Sequence, residues 1–150
     1  ANFLVAQHGT GSVDIEAVPG GLDVLLPEND VLVHTNHLQS LRHAQVRDLG
    51  ALAFPDTYPR LMRVRRVVAD HHGAIDTDVA RDILRDHGNQ PDSICRHVDT
   101  VVDPEGKQIH TVFSLVMSLE ERTLEITDGP PCCTDYRNPV ALAGRAETTR

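Results

Sequence analysis

A chain of 150 residues suits one domain with a sizeable core, and a formal charge of −8 with no long basic block argues against a nucleic-acid surface. Three Phe, two Tyr and no Trp leave little for base stacking, so nucleic acid is not the expected partner. No apolar stretch approaches the roughly 20 residues that span a bilayer, and no membrane association is expected.

The chain opens on strands. Residues 2–7 are apolar, Gly9-Thr10-Gly11 makes a turn, and residues 12–18 alternate, with Val13, Ile15 and Ala17 on one face. Pro19-Gly20-Gly21 turns again, residues 22–26 run extended, and Pro27-Glu28-Asn29-Asp30 leads into an apolar strand, Val31-Leu32-Val33. Connections this short cannot hold crossover helices, so the sheet is expected to be antiparallel. The first six residues lack the basic leader and apolar core of a signal peptide. A start at Ala1 rather than Met reads as processing, or as a piece whose true start lies upstream.

The apolar run at 31–33 ends in His34-Thr35-Asn36-His37, a cluster of hydrogen-bonding side chains where a strand gives out. The neutral amide of Asn36 can polarise a carbonyl, and His34 and His37 can hold that amide in place. Taken alone, the four residues also read as a strand-to-helix turn with Asn36 as a local cap.

The middle third changes period. Asp56 or Thr57 can cap a helix in which Pro59 falls in the first turn, where proline is tolerated. Leu61, Val64, Val67 and Val68 follow at helical spacing and Gly73 stops the run. Arg60, Arg63, Arg65 and Arg66 form its wet face. A second helix starts near Asp76-Thr77-Asp78, turns Val79, Ala80, Ile83 and Leu84 inward, and ends at His87-Gly88.

Nine histidines raise the question of a metal. The close spacings are His34-x-x-His37 and His71-His72, and neither Cys-x-x-Cys nor His-Glu-x-x-His occurs. Asp70-His71-His72 matches the central motif of a family of metal-dependent phosphoesterases, but the upstream aspartate clusters of that family are missing, and a helix C-cap is the better reading. No metal site is expected. Cys95 lies beside Arg96 and His97, which can lower a thiol pKa. A loop cysteine packed against the core is the simpler account. Three cysteines, two of them the adjacent Cys132 and Cys133, make no disulfide framework, so a reducing, cytoplasmic setting is expected.

Strands return in the last third. Residues 111–119 form a long apolar run suited to burial on both faces. Glu120-Glu121-Arg122 turns, and residues 123–127 alternate with Leu124 and Ile126 inward. Asp128-Gly129-Pro130-Pro131 closes the hairpin. Strands, two helices, then strands make an α+β layer fold over residues 1–137, while the tail at 138–150 has little to bury and is expected to be disordered.

The order of these segments resembles the C-terminal half of the acyl-coenzyme A:6-aminopenicillanate acyltransferase family, a branch of the N-terminal-nucleophile hydrolases. The resemblance runs from Asn2-Phe3-Leu4-Val5-Ala6 and Val13-Asp14-Ile15-Glu16 through Val33-His34-Thr35-Asn36-His37 and Ser93-Ile94-Cys95-Arg96 to Gly129-Pro130-Pro131-Cys132. It covers about residues 1 to 136, and the His-Thr-Asn-His block is its most specific part.

The resemblance implies a four-layer αββα sandwich of antiparallel sheets, made by autocatalytic cleavage of a precursor. A new N-terminal Cys would attack an amide or thioester carbonyl, with its own α-amino group as base, and pass the acyl group to water or an amine. Asn36 would donate to the oxyanion. His34, His37, Cys95 and Arg96 would support it or touch substrate, and Glu16 would have a structural task. No cofactor is implied beyond acyl-coenzyme A as an acyl donor.

The chain departs from the family pattern at the nucleophile. Cys95, Cys132 and Cys133 are internal and carry no free α-amine. The expectation is the C-terminal portion of an acyltransferase or amidohydrolase, inactive alone, whose partner is the missing N-terminal half and whose apolar strand faces stand exposed. The alternative is a catalytically silent binding or interaction domain on the same fold.

Overall fold

A computed structural model describes residues 1–97, 105–106, 108–137 and, by backbone alone, 140–141. The expected disordered tail otherwise lies outside these residues. Two three-stranded antiparallel sheets and three α-helices confirm the α+β class. The first sheet orders β1 (Asn2–Gln7), β2 (Gly11–Val18) and β3 (Gly21–Leu25); the second orders β4 (Leu115–Ser118), β5 (Thr123–Ile126) and β6 (Val140–Ala141).

In the first sheet the register pairs Phe3 with Ile15, Val5 with Val13, Ile15 with Val24 and Ala17 with Leu22. Paired residues share a face, so these side chains make one continuous apolar surface. Val13, Ile15 and Ala17 do share a face, as their alternation predicts. That face, however, is the open one: Phe3, Val5, Leu22 and Val24 are each at least half exposed. The other face of β2 carries Asp14 and Glu16, both wholly buried.

Several elements are shorter than their hydrophobic runs. Residues 31–33 form no strand; Val31 makes a single bridge to Glu28 across a turn in which Asn29 and Asp30 have φ of 49° and 61°. Both central residues of such a turn need positive φ, which Asn and Asp tolerate best. The run at 111–119 is a strand only over Leu115–Ser118, with Val116 buried and Val112 and Phe113 exposed. Its length of apolar sequence does not correspond to burial on two faces here.

The helices follow their capping signals more closely. α1 (Leu49–Ala53) is a short helix that hydrophobic period did not reveal; Asp48 caps it by accepting from Ala51 N at 2.9 Å. α2 (Thr57–Asp70) begins and ends where expected, and Gly73 follows its end at φ 78°. Asp56 stands at its N-cap but makes no side-chain cap bond. α3 (Thr77–Leu84) is capped by Asp76 on Val79 N at 2.8 Å and stops before the expected His87-Gly88. His71 caps α2, its Nδ1 2.9 Å from Val67 O, and His72 Nε2 is 2.8 Å from Asn29 O, which supports the helix-end reading of these histidines.

Ion pairs join the elements. Arg63 pairs with Asp86 through two nitrogens, tying α2 to the end of α3, and Arg81 pairs with Glu125, tying α3 to β5. Leu61, Ile83, Cys95 and Val116 supply the buried apolar side chains around this junction. Among the described residues no helix is long and apolar enough to cross a membrane.

This division of labour along α2 is testable. Leu61→Ala removes a buried side chain and should cost about 2–4 kcal/mol, whereas the neighbouring, exposed Met62→Ala should stay within about 0.5 kcal/mol. Urea midpoints of the two variants beside the parent protein check this.

Candidate active site

The segment after β3 has little regular structure, so side chains rather than a backbone ladder hold it. Glu16 is the anchor. Its Oε1 accepts from Gln39 N at 2.6 Å and lies 2.8 Å from His34 Nε2; its Oε2 accepts from Ser40 N at 3.0 Å. Burial alone pushes the Glu16 carboxyl up, but the Gln39 amide, the His34 ring and the Ser40 amide outweigh it and hold the group below its ordinary 4.5. His43 Nε2 also approaches Glu16 O, at 3.3 Å. Asp14 sits beside this cluster, 3.6 Å from His34 Nε2 and 3.4 Å from Asn2 Nδ2. His34 Nδ1 and Asp14 Oδ1 are buried with no hydrogen-bond partner among the described residues.

Thr57, at the start of α2, holds the other side of the loop. Its Oγ1 accepts from Asn36 N at 2.9 Å, meets His37 Nδ1 at 2.9 Å and donates to Thr35 Oγ1 at 3.0 Å. With its single proton given to Thr35, it must receive from His37 Nδ1–H. Burial, and the nearby His34, lower the His37 pKa below 6.5, so the ring is neutral at neutral pH. Its centroid lies 4.2 Å from that of the Tyr58 ring, the two rings tilted by 39°. Asp48 completes the frame by accepting from Leu38 N at 2.8 Å.

These contacts fix the backbone of Asn36, and Arg60 fixes its side chain. Arg60 Nη2 donates to Asn36 Oδ1 at 2.5 Å, while Arg60 Nε donates to Asp56 Oδ2 at 2.9 Å. Asp56 also pairs with the buried Arg96. A carboxylate between two guanidiniums explains why Asp56 does not cap α2. Because an arginine can only donate, the amide of Asn36 must face it oxygen-first, which turns its N–H₂ the other way. Among the described residues no acceptor takes those hydrogens. Asn36 is exposed and borders a cleft of about 290 Å³ with His34, His37, Val46 and Arg47. A larger cavity of about 630 Å³, lined by Leu26, Val33, Arg65 and His72, does not include Asn36.

Asn36, His34 and His37 thus come together. Arg96 joins them at two removes, through Asp56 and then Arg60. Cys95 does not: it is wholly buried, with its Sγ 3.6 Å from Cys132 Sγ. The Cys132 thiol, on an exposed residue, is pushed up to about 12 by partial desolvation where it faces Cys95, then by Cys95 and Cys133 themselves, so it is not primed for attack. Arg60, Asp56, Thr57 and Asp48 are site residues that the sequence did not reveal. By sequence Arg60 belongs to the wet face of α2. The one local signal was the Asp56–Arg60 spacing of four along a helix.

The class defined by this fold and site is an α+β protein that presents one oriented neutral amide at a cleft. A family model of acyl-coenzyme A:6-aminopenicillanic acid acyl-transferases matches residues 1–131, and the chain belongs to that family, one of acyltransferases. No curated protein matches the chain.

A depressed carboxyl stabilises the fold above its ordinary pKa, and that stability is lost as pH falls through the folded value. The Glu16 contribution is therefore present above about 4.5 and disappears below it. Glu16→Gln, which sets an N–H₂ against donors, should cost about 1–3 kcal/mol at neutral pH and flatten the acid limb. Urea midpoints across the acid range for both proteins measure both effects.

Proposed function

We propose that the chain is the C-terminal portion of an acyltransferase or amidohydrolase of the N-terminal-nucleophile type, with Asn36 as its oxyanion donor. The substrate is a small molecule with an amide or thioester carbonyl, acyl-coenzyme A among the acyl donors. The nucleophile is an N-terminal cysteine outside this chain, and the fold is one part of an αββα sandwich.

The clamped amide of Asn36 carries this reading. As a thiolate attacks the carbonyl carbon, negative charge grows on the oxygen, and a donor already aimed at it needs no reorganisation. Arg60 holds the amide oxygen and leaves the N–H end free, on a residue that borders the cleft. Collapse of the tetrahedral intermediate expels an amine or thiol and leaves an acyl-enzyme, which water or an amine then resolves. His37 supports the loop through Thr57, and His34 supports it through Glu16. The exposed apolar face of the first sheet agrees with a second layer packing there, since a patch rimmed by polar residues is a surface made to be covered.

The protein from the complete gene, checked by mass for self-cleavage, should turn over N-acyl amides or acyl thioesters. Asn36→Ala should lower kcat and kcat/KM together by about 100-fold or more, the signature of a bond made in the transition state. Arg60→Met should give a smaller loss of the same kind. Absence of cleavage and of turnover on every substrate would leave a binding domain on this fold and end the enzyme reading.

A further inference from the structure

We propose that His87, Cys95, His97 and Cys132 bind one zinc ion in a closed site of two thiolates and two imidazoles. This goes beyond the acyl-transfer reading and uses none of the groups around Asn36.

Three separate segments bring the donors together. His87 follows α3, Cys95 and His97 lie on the next loop, and Cys132 lies on the turn after β5. One donor atom from each falls within 4.8 Å of every other. Cys95 Sγ is 3.6 Å from Cys132 Sγ, Cys132 Sγ is 3.3 Å from His97 Nε2, and the Nε2 atoms of His87 and His97 are 2.9 Å apart. Zinc bonds to sulfur and nitrogen of ordinary length define a tetrahedron with edges of roughly 3.3 to 3.8 Å. The sulfur–sulfur edge already has that length, and the two imidazoles need part only slightly. A disulfide would need the sulfurs near 2.05 Å; both thiols are free here.

The scaffold holds these segments by bonds that do not use the donors' side chains. Cys95 N donates to Asp86 O at 3.0 Å, and Arg85 Nε donates to Pro131 O at 3.0 Å. The end of α3 is thereby tied to both other segments before any ion binds. Cys95 closes the site from the interior, while His87 and Cys132 are exposed and give an ion its way in.

The donor chemistry selects the ion. Two soft sulfurs and two imidazoles in tetrahedral array suit zinc and disfavour magnesium or calcium. Binding releases one proton from each thiol to solvent; the two thiolates balance the ion's charge, and each neutral imidazole keeps a proton on its other nitrogen. Four protein donors leave no position for water or substrate, so the site is structural and its binding energy adds to folding.

The test uses the full chain without a histidine tag, purified under reducing conditions from zinc-supplemented cells. Elemental analysis should find about one zinc per chain, and cobalt added to metal-stripped protein should give the visible bands of tetrahedral thiolate coordination. His87→Ala and Cys132→Ser, both at exposed positions, should each weaken zinc retention against a chelator about tenfold or more, and Cys133→Ser should leave it unchanged. These variants decide the matter even if Cys95→Ser fails to fold. A folded parent chain with no zinc and no cobalt bands would overturn the proposal. So would equal retention in all variants, or a Cys95–Cys132 disulfide, seen as a loss of two hydrogens by mass, in place of metal.

Discussion

The buried carboxylate of Glu16 is the contact on which the candidate site depends. The segment 31–40 has almost no ladder of its own, and a loop without one is held by whatever accepts its amides. Glu16 accepts two of them and the His34 ring, from a position on the central strand of a three-stranded sheet. Charge-assisted bonds of this kind are about twice as strong as neutral ones. They also explain why a carboxylate can be wholly buried: its oxygens are matched by donors rather than left in apolar surroundings.

A second chain of charges governs where the Asn36 amide points. It runs from Arg96 through Asp56 and Arg60 to Asn36 Oδ1. The first link is an ion pair and the two from Arg60 are hydrogen bonds from a donor to an acceptor, so the alternation allows one orientation of the terminal amide and opposes its flip. Burial pulls the guanidiniums of Arg60 and Arg96 down, yet both keep their charge, since arginine remains protonated in proteins. The backbone of the same residue is held independently by Thr57. Separate constraints on the backbone and the side chain of one residue are what preorganisation requires.

The sequence made local signals legible and long-range ones not. Asp76 located the start of α3 and Gly73 the end of α2, because the chemistry of a helix end lies within a few residues. The hairpin of β1 and β2 was visible for the same reason. Apolar content misled where neighbours decide burial: residues 31–33 and 111–113 have strand composition without strand partners here. In β2, alternation located two faces but not which one the loops cover. Asn36, His34 and His37 are adjacent in sequence and could be named. Arg60 could not be placed beside them, and Arg96 only by the family resemblance, since it is the fold that brings Arg96 to Asp56. The same is true of His87, Cys95, His97 and Cys132, whose donors converge from three segments with no motif spacing.

The first sheet unites these observations. Its polar face is occupied by the loop that carries Asn36, so the cost of burying Asp14 and Glu16 is spent on fixing one amide. Its other face is apolar from Phe3 across to Val24 and open. A sheet in water ordinarily buries its apolar face and solvates its polar one. Here the arrangement is reversed, and the reversal has a physical consequence: the hydrophobic free energy of this sheet is largely unrealised in the chain alone. A layer laid on that face would gain it. That unrealised burial lies in the exposed apolar side chains of β1 and β3 themselves, Phe3 and Val5 on one strand and Leu22 and Val24 on the other.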